Sequence, residues 1–431
     1  MTATALRATP PPAAPDARAN RPLRIAFLSY RSDPRVGGQG VFVRHVAGAL
    51  ARAGHRVTVL SGPPYPELPE GVALQPIPSL DLFAQPLLGR YALRWRHLAS
   101  WTDTAEYFGH VSGKFMEPWS FGRRAATWLA GQRDRFDVVL DNQCLADGLL
   151  AIEAAGLPVV GIVHHPIHRD LELALAAEPE WGKRWLLRRW YGFLAMQERV
   201  APKLRRIVTV SEASAGDIAR HLHVARDRIT VVPNGVDRAF GPQPQVERLA
   251  NRLVTTASAD VPLKGLRFLL EAFAALAPSR PELELVVVGK LREGPTAELV
   301  ERLGLGERLR FVSGLTDAEL AALFASATVA VTPSLYEGFG LPAAEAMACG
   351  APVVVTDGGA LPEVVGDAGV VVPAGNAGAL AGALGELLDD PARRARMSAA
   401  GLERARRYDW DALAERYGAV LVEAIAEVGA C

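Results

Sequence analysis

Short β-branched runs alternating with helical stretches constrain this chain more than any other feature. From the N-terminus the runs are LRIAFLSY, RVTVLSG, FDVVLDNQ, LPVVGIVHH, RRIVTVSE and ITVVPNGVD. After GPQPQ the pattern starts again with RLVTTAS, ELELVVVGK, LRFVSG, TVAVTPS, PVVVT and GVVVP. Runs this apolar belong to strands buried on both faces, and the helix between each pair makes the pairing parallel. The chain is therefore expected to be α/β, with two doubly wound parallel sheets and a ligand in the cleft between them. Its 431 residues suffice for two such domains, each with its own core.

Within the second half, residues 328–350 read as a buried strand, a glycine-containing loop and a short helix. Pro342 falls in the helix's first turn and Gly350 just past its end. Gly338 and Gly340 leave backbone amides uncovered at a helix N-terminus, where phosphate oxygens bind. Glu337 lies in the loop and Glu345 in the first or second helical turn, so two carboxylates stand ready to accept from sugar hydroxyls. Amides for phosphate beside acceptors for hydroxyls suggest a sugar nucleotide. Taken alone, Gly-Phe-Gly is equally a plain turn, and Glu345 an ordinary glutamate facing the helix dipole.

The flanking stretch TPSLYEGFGLPAAEAMACGAPVVVT resembles the retaining glycosyltransferases of family 4, which have the GT-B fold, and EGFGLPAAE resembles their E-x7-E signature. The resemblance covers about residues 23 to 425. It implies metal-independent transfer of a sugar from a nucleoside diphosphate to a hydroxyl of a glycan, a lipid-linked or a small-molecule acceptor, with no cofactor. It gives Glu337 the donor sugar and Glu345 the ribose, while Gly338, Phe339, Gly340 and Leu341 present the amides. KGLRFLLEAF resembles the family's Lys-Gly helix, which puts Lys264 on the diphosphate. GGQGVFVRHVAGALARAGHRVTVLSG resembles the early glycine loop, so Gly37 and Gly38 are expected to line the cleft. VHHPIHRD resembles the segment whose histidine faces the sugar, which falls to one of His164 and His165. The domains implied are 22–240 on the acceptor side and 241–407 on the donor side, with 408–431 as a helix crossing back.

One departure stands out. Many relatives carry Gly-Arg about five residues before the lysine, and this chain has Ser258-Ala259. Arg252 and Lys290 are the candidates to replace that second cation. Other readings stay open on sequence alone: an epimerase or phosphorylase-like GT-B enzyme, or a non-catalytic protein that binds sugar nucleotides.

Several activities are disfavoured. Gly37, Gly38 and Gly40 open a helix after a strand, but Val43 holds the third glycine's place in a dinucleotide fingerprint, and no acid ends the second strand. Asp409-Trp410-Asp411 has the spacing of a metal-binding Asp-x-Asp. It precedes a helix, where Asp409 serves as N-cap and Asp411 as a first-turn acid. His164, His165 and His168 lack a carboxylate or cysteine at a familiar ligand spacing, so no metal is expected. Lysine plus arginine equals aspartate plus glutamate, 47 against 47, which gives no argument for a nucleic-acid partner.

Cys144, Cys349 and Cys431 form no disulfide framework, which fits a reducing cytoplasm. The first 21 residues are rich in alanine and proline and are expected to be a disordered tail. Residues 171–199 read as long helical material, and GKRWLLRRWYGFLAMQERV mixes bases with tryptophans. That mixture describes a solvated basic face over a buried stripe, and it also admits peripheral contact with the inner face of an anionic membrane.

Overall fold

The computed structural model describes residues 21–33, 38–257 and 261–429. Gly37, Ser258, Ala259 and residues 1–20 of the tail lie outside them, and so do the expectations placed on those positions.

Seven strands form the first sheet: β1 Arg24–Ser29, β2 Arg56–Ser61, β3 Ala73–Pro76, β4 Val138–Asn142, β5 Val159–Val163, β6 Arg206–Thr209 and β7 Ile229–Val231. Their order is β3-β2-β1-β4-β5-β6-β7, all parallel. Six strands form the second: β8 Arg252–Thr256, β9 Glu284–Val288, β10 Leu309–Val312, β11 Val329–Thr332, β12 Val353–Thr356 and β13 Gly369–Val372. They run β10-β9-β8-β11-β12-β13, again all parallel. Every residue of β4, β5, β11 and β12 is buried, as their Val-rich sequences require.

Strand order reverses between β1 and β4 in the first sheet and between β8 and β11 in the second. A doubly wound sheet opens a crevice at that switch, beyond the strands' carboxyl ends. The segments following these four strands carry Gln39, Gln143, Lys264 and Glu337, and all four side chains line one cleft. Topology alone thus brings together residues almost 300 positions apart.

The last helix, Trp410–Gly429, returns to the first domain. Trp410, Leu413, Tyr417 and Leu421 enter the core between the first sheet and the helix Gly38–Arg52. Gly235 marks the crossing, because a Cβ there would lie 2.3 Å from Trp410 Cδ2. Asp409 accepts from the amides of Asp411 and Ala412, both at 3.0 Å, which is N-cap geometry.

Two expectations change. Gly38 and Gly40 lie in the first turn of a helix rather than in the loop before it, and a Cβ on Gly40 would sit 2.2 Å from Asp33 O. Residues 171–199 are not one long helix but parts of three: His168–Ala177, Trp181–Trp190 and Leu194–Val200. Pro179 breaks the first from the second by holding Glu178 extended (φ −99°, ψ 111°).

Candidate active site

On the second domain, the turn Pro262–Lys264 packs directly on the loop that follows β11. Gly265 permits this, with φ 62° and the site of a Cβ only 2.0 Å from Pro333 O. Leu335 N then donates to Leu263 O at 2.8 Å. The result is a short ion pair, with Lys264 Nζ 2.8 Å from Glu337 Oε1. Ser334 Oγ donates to the same oxygen at 2.7 Å, and the backbone of Glu337 is tied to Gly358 and Ala360. Sequence reasoning found the lysine and the glutamate separately. Their contact, and Ser334, come from the fold.

Past Glu337 the chain turns through Gly340, whose φ of 95° is left-handed and where a Cβ would meet Leu361 at 2.4 Å. The helix Leu341–Ala348 follows, with Pro342 at its second residue. Among the described residues the amides of Gly338, Phe339, Gly340 and Leu341 have no acceptor. Glu345 stands in the second turn, half-buried, its carboxylate likewise without a partner there. Burial pushes its pKa up to about 8, helped by the nearby charges of Asp317 and Asp237.

The first domain supplies the opposite wall. His164 Nε2 lies 2.8 Å from Asn142 Oδ1, and its ring meets Phe42 edge-on at 4.4 Å. Burial, reinforced by His165, lowers its pKa to about 3, so His164 is a neutral imidazole. His165 Nε2 pairs with Asp170 Oδ2 at 2.7 Å. Gln143 clamps the two, accepting from His164 N at 2.9 Å and donating to His165 O at 2.7 Å. Both histidines therefore line the cleft, by different means.

The walls touch through the helix Glu212–His221. Ser211, its N-cap, donates to Gly338 O at 2.6 Å, and Tyr336 OH donates to Asp217 Oδ2 at 2.9 Å. Glu363 of the second domain accepts from the amides of Glu212 and Ala213 at 2.9 and 3.0 Å. Gly338 is so close that a Cβ would lie 2.7 Å from His164 O. Ser211 before Glu212 is a readable cap in the sequence, but its partner across the cleft is not.

The cleft has a volume of about 540 Å³ and is also lined by His45, Asp237 and Asp317, which sequence reasoning missed. His45 stacks on Trp410 at 5.5 Å, and its Nδ1 lies 3.5 Å from Asp237. Two other expectations are corrected by position. Arg252 begins β8, at the end of the sheet away from the cleft, and pairs with Glu284 and Ser326. Lys290 is exposed and does not line the cleft. His168 turns away to Glu198 at 2.8 Å and His221 at 5.3 Å. Among the described residues, no group of three or more His, Cys, Asp or Glu side chains could hold a metal ion.

Comparison with known proteins agrees with this geometry. Residues 36–240 match the model described as Glycosyltransferase Family 4, and residues 237–404 match Glycosyl transferases group 1. An MMP alpha-(1->4)-mannosyltransferase of Mycolicibacterium hassiacum is 48% identical over 95% of this chain and 100% of its own. A D-inositol 3-phosphate glycosyltransferase of Thermobispora bispora is 30% identical over 96% of this chain and 97% of its own. Among solved structures, sucrose-phosphate synthase from Thermosynechococcus elongatus superposes with a TM-score of 0.70 at 22% identity, over 94% of this chain and 100% of that one. The chain belongs to glycosyltransferase family 4 and is a GT-B enzyme that transfers a sugar from a nucleoside-diphosphate sugar to an acceptor.

Proposed function

We propose that the transferred sugar is mannose, that the acceptor is a glycan hydroxyl, and that the product is an α-(1→4) linkage with the anomeric configuration retained. The linkage and sugar are those named for the Mycolicibacterium relative, which matches along its whole length. The observation that carries the site reading is the convergence of Lys264, Glu337, four amides unpartnered among the described residues and Glu345 along one wall of one cleft.

In this reading Lys264 and the amides of residues 338–341 meet the diphosphate, and Glu345 accepts from the ribose hydroxyls. Glu337 orients the sugar while holding Lys264 in place, and His164 approaches the sugar from the other domain as a neutral hydrogen-bonding group. The acceptor oxygen attacks the anomeric carbon on the face that the phosphate leaves. The bond from that carbon to the phosphate oxygen breaks, and that oxygen takes the acceptor's proton. Charge that builds on the phosphate is met by groups already in position, so no metal is required for the step. Residues 22–240 form the acceptor domain, 241–407 the donor domain and 408–431 the strap between them.

Among the described residues no helix is long and apolar enough to cross a membrane. The cytoplasmic side is supported by Cys144 and Cys349, both free and buried. Peripheral contact with anionic lipid is supported by exposed Trp95 and Trp181, with Arg94, Arg96 and Arg184 beside them in sequence.

The test is thermal stabilisation by UDP, GDP, ADP and dTDP, followed by transfer from the matching mannose donor. Selective stabilisation by one nucleotide, lost in Lys264→Ala and Glu345→Ala, is expected. The product should show an α-anomeric proton signal by NMR. A β-linked product, or a different sugar as the preferred donor, would sink this reading.

A further inference from the structure

A second cavity lies in the first domain, about 460 Å³ in volume. Its aromatic wall is Phe83, Tyr91, His110 and Trp190, and Arg90, Gly113, Glu178, Lys183, Leu186 and Leu187 complete the lining. The rings brace one another. Trp190 stacks on Phe115 at 5.1 Å, Phe83 meets Trp190 and His110 edge-on at 5.6 and 4.9 Å, and Tyr91 lies over His110 at 5.7 Å. Tyr91 is nonetheless 51% exposed, with much of its surface left uncovered.

His110 is the informative member. It is 6% exposed, and its Nε2 is buried with no hydrogen-bond partner among the described residues. A buried polar nitrogen left unpaired carries a desolvation cost, which a ligand hydroxyl would remove. Packed side chains run from the cleft to the cavity. Gln39 lines the cleft and donates to Tyr30 OH at 3.4 Å, Tyr30 meets Phe115 edge-on at 6.2 Å, and Phe115 carries Trp190. Along the chain, the helix His168–Ala177 links Asp170 of the cleft to Glu178 of the cavity, a span of about 12 Å.

We propose that this groove is an acceptor subsite, holding the part of a glycan chain remote from the hydroxyl that reacts. The proposal rests on the mannosyl-transfer reading above. Sugar rings present apolar C–H faces and a rim of hydroxyls. A braced aromatic wall with a few polar groups suits both, and the rings lose little freedom on binding because they are already packed. A lipid chain would cover the aromatic surface with Leu186 and Leu187, yet leave His110 Nε2 and Arg90 Nε unpaired, so the groove itself fits a glycan better than an acyl chain.

The experiment is calorimetric titration of the full chain with α-(1→4)-linked mannotetraose and with methyl α-mannoside. The tetrasaccharide should bind about tenfold tighter or better. Tyr91→Ala changes an exposed ring and should fold normally. His110→Leu keeps an apolar side chain of similar volume and removes the nitrogen. Each should weaken the tetrasaccharide about tenfold, leaving methyl α-mannoside and nucleoside diphosphate binding unchanged, with a melting temperature unchanged in Tyr91→Ala and no lower in His110→Leu. Equal affinity for the two sugars, no binding of the tetrasaccharide, or unchanged binding in both variants would overturn the proposal. So would loss of binding to phosphatidylglycerol vesicles in the variants with tetrasaccharide affinity intact, which would assign the surface to a membrane. Should no mannose donor release its diphosphate while the tetrasaccharide still binds through Tyr91, the mannosyl reading fails and the groove stands.

Discussion

The two walls of the cleft are built on different plans. The second domain's wall is close to continuous in sequence, because Glu337, the backbone amides of residues 338–341 and Glu345 occupy nine residues, with Lys264 brought in by one glycine turn. Backbone bonds to Gly358 and Ala360 fix it. The first domain's wall is gathered from four segments, around Phe42, Asn142, His164 and Ser211, and is tied by side chains. A wall fixed by its own backbone suits a diphosphate, whose chemistry is the same for every donor. One hung on exchangeable side chains can be respecified for different acceptors.

Removing the central charge of the rigid wall should have the largest effect. Lys264→Ala is expected to lower kcat about 10²–10³-fold, because the proposed reading makes Lys264 the cation that meets the leaving diphosphate. Release of nucleoside diphosphate measures this. A loss under tenfold would mean that the amides and another cation carry the charge, and that the rigid wall is not organised around Lys264.

Gly338→Ala attacks the seam between the walls. The new methyl would lie 2.7 Å from His164 O and 3.1 Å from His165 Cβ, so the domains must separate or the loop must shift. An expected fall in kcat/KM of about tenfold should accompany a larger radius of gyration by small-angle scattering, with little loss of secondary structure. Normal kcat/KM would show that closure tolerates a wider gap than the observed one.

The smallest effect concerns pH. Glu345 keeps its proton in the folded chain up to about 8, whereas an unfolded chain releases it near the ordinary carboxylate range. Across that window the folded state binds more protons than the unfolded one, so this residue lowers stability as pH rises, levelling off above about 8. Glu345→Gln should therefore raise the ligand-free melting temperature by about 2–4 °C at pH 8 and by much less at pH 5. An equal gain at both values would trace the effect to packing.

How much could be read in advance follows from the same contrast. The loop, the helix with Pro342 in its first turn, and both glutamates were legible because they are local. Lys264 was legible only through resemblance. The ion pair with Glu337, the hold of Ser211 on Gly338, and the bond from Tyr336 to Asp217 join residues 73, 127 and 119 positions apart, and no spacing rule reaches so far. Asp237 and Asp317 went unnoticed because each has an ordinary local role, one in a turn and one after the Thr316 cap. Arg252 was a candidate for the second cation beside Lys264. It failed because a strand separates the two and carries them to opposite ends of the sheet.

By itself the sequence determined two parallel sheets and the place of a glycine turn at a helix N-terminus, since alternation of apolar runs with helices and a glycine turn before a helix are short-range facts of backbone chemistry. Only the tertiary structure decided which residues face one another. That depends on strand order, on where each sheet reverses, and on how closely glycines 235, 265 and 338 let the backbones approach.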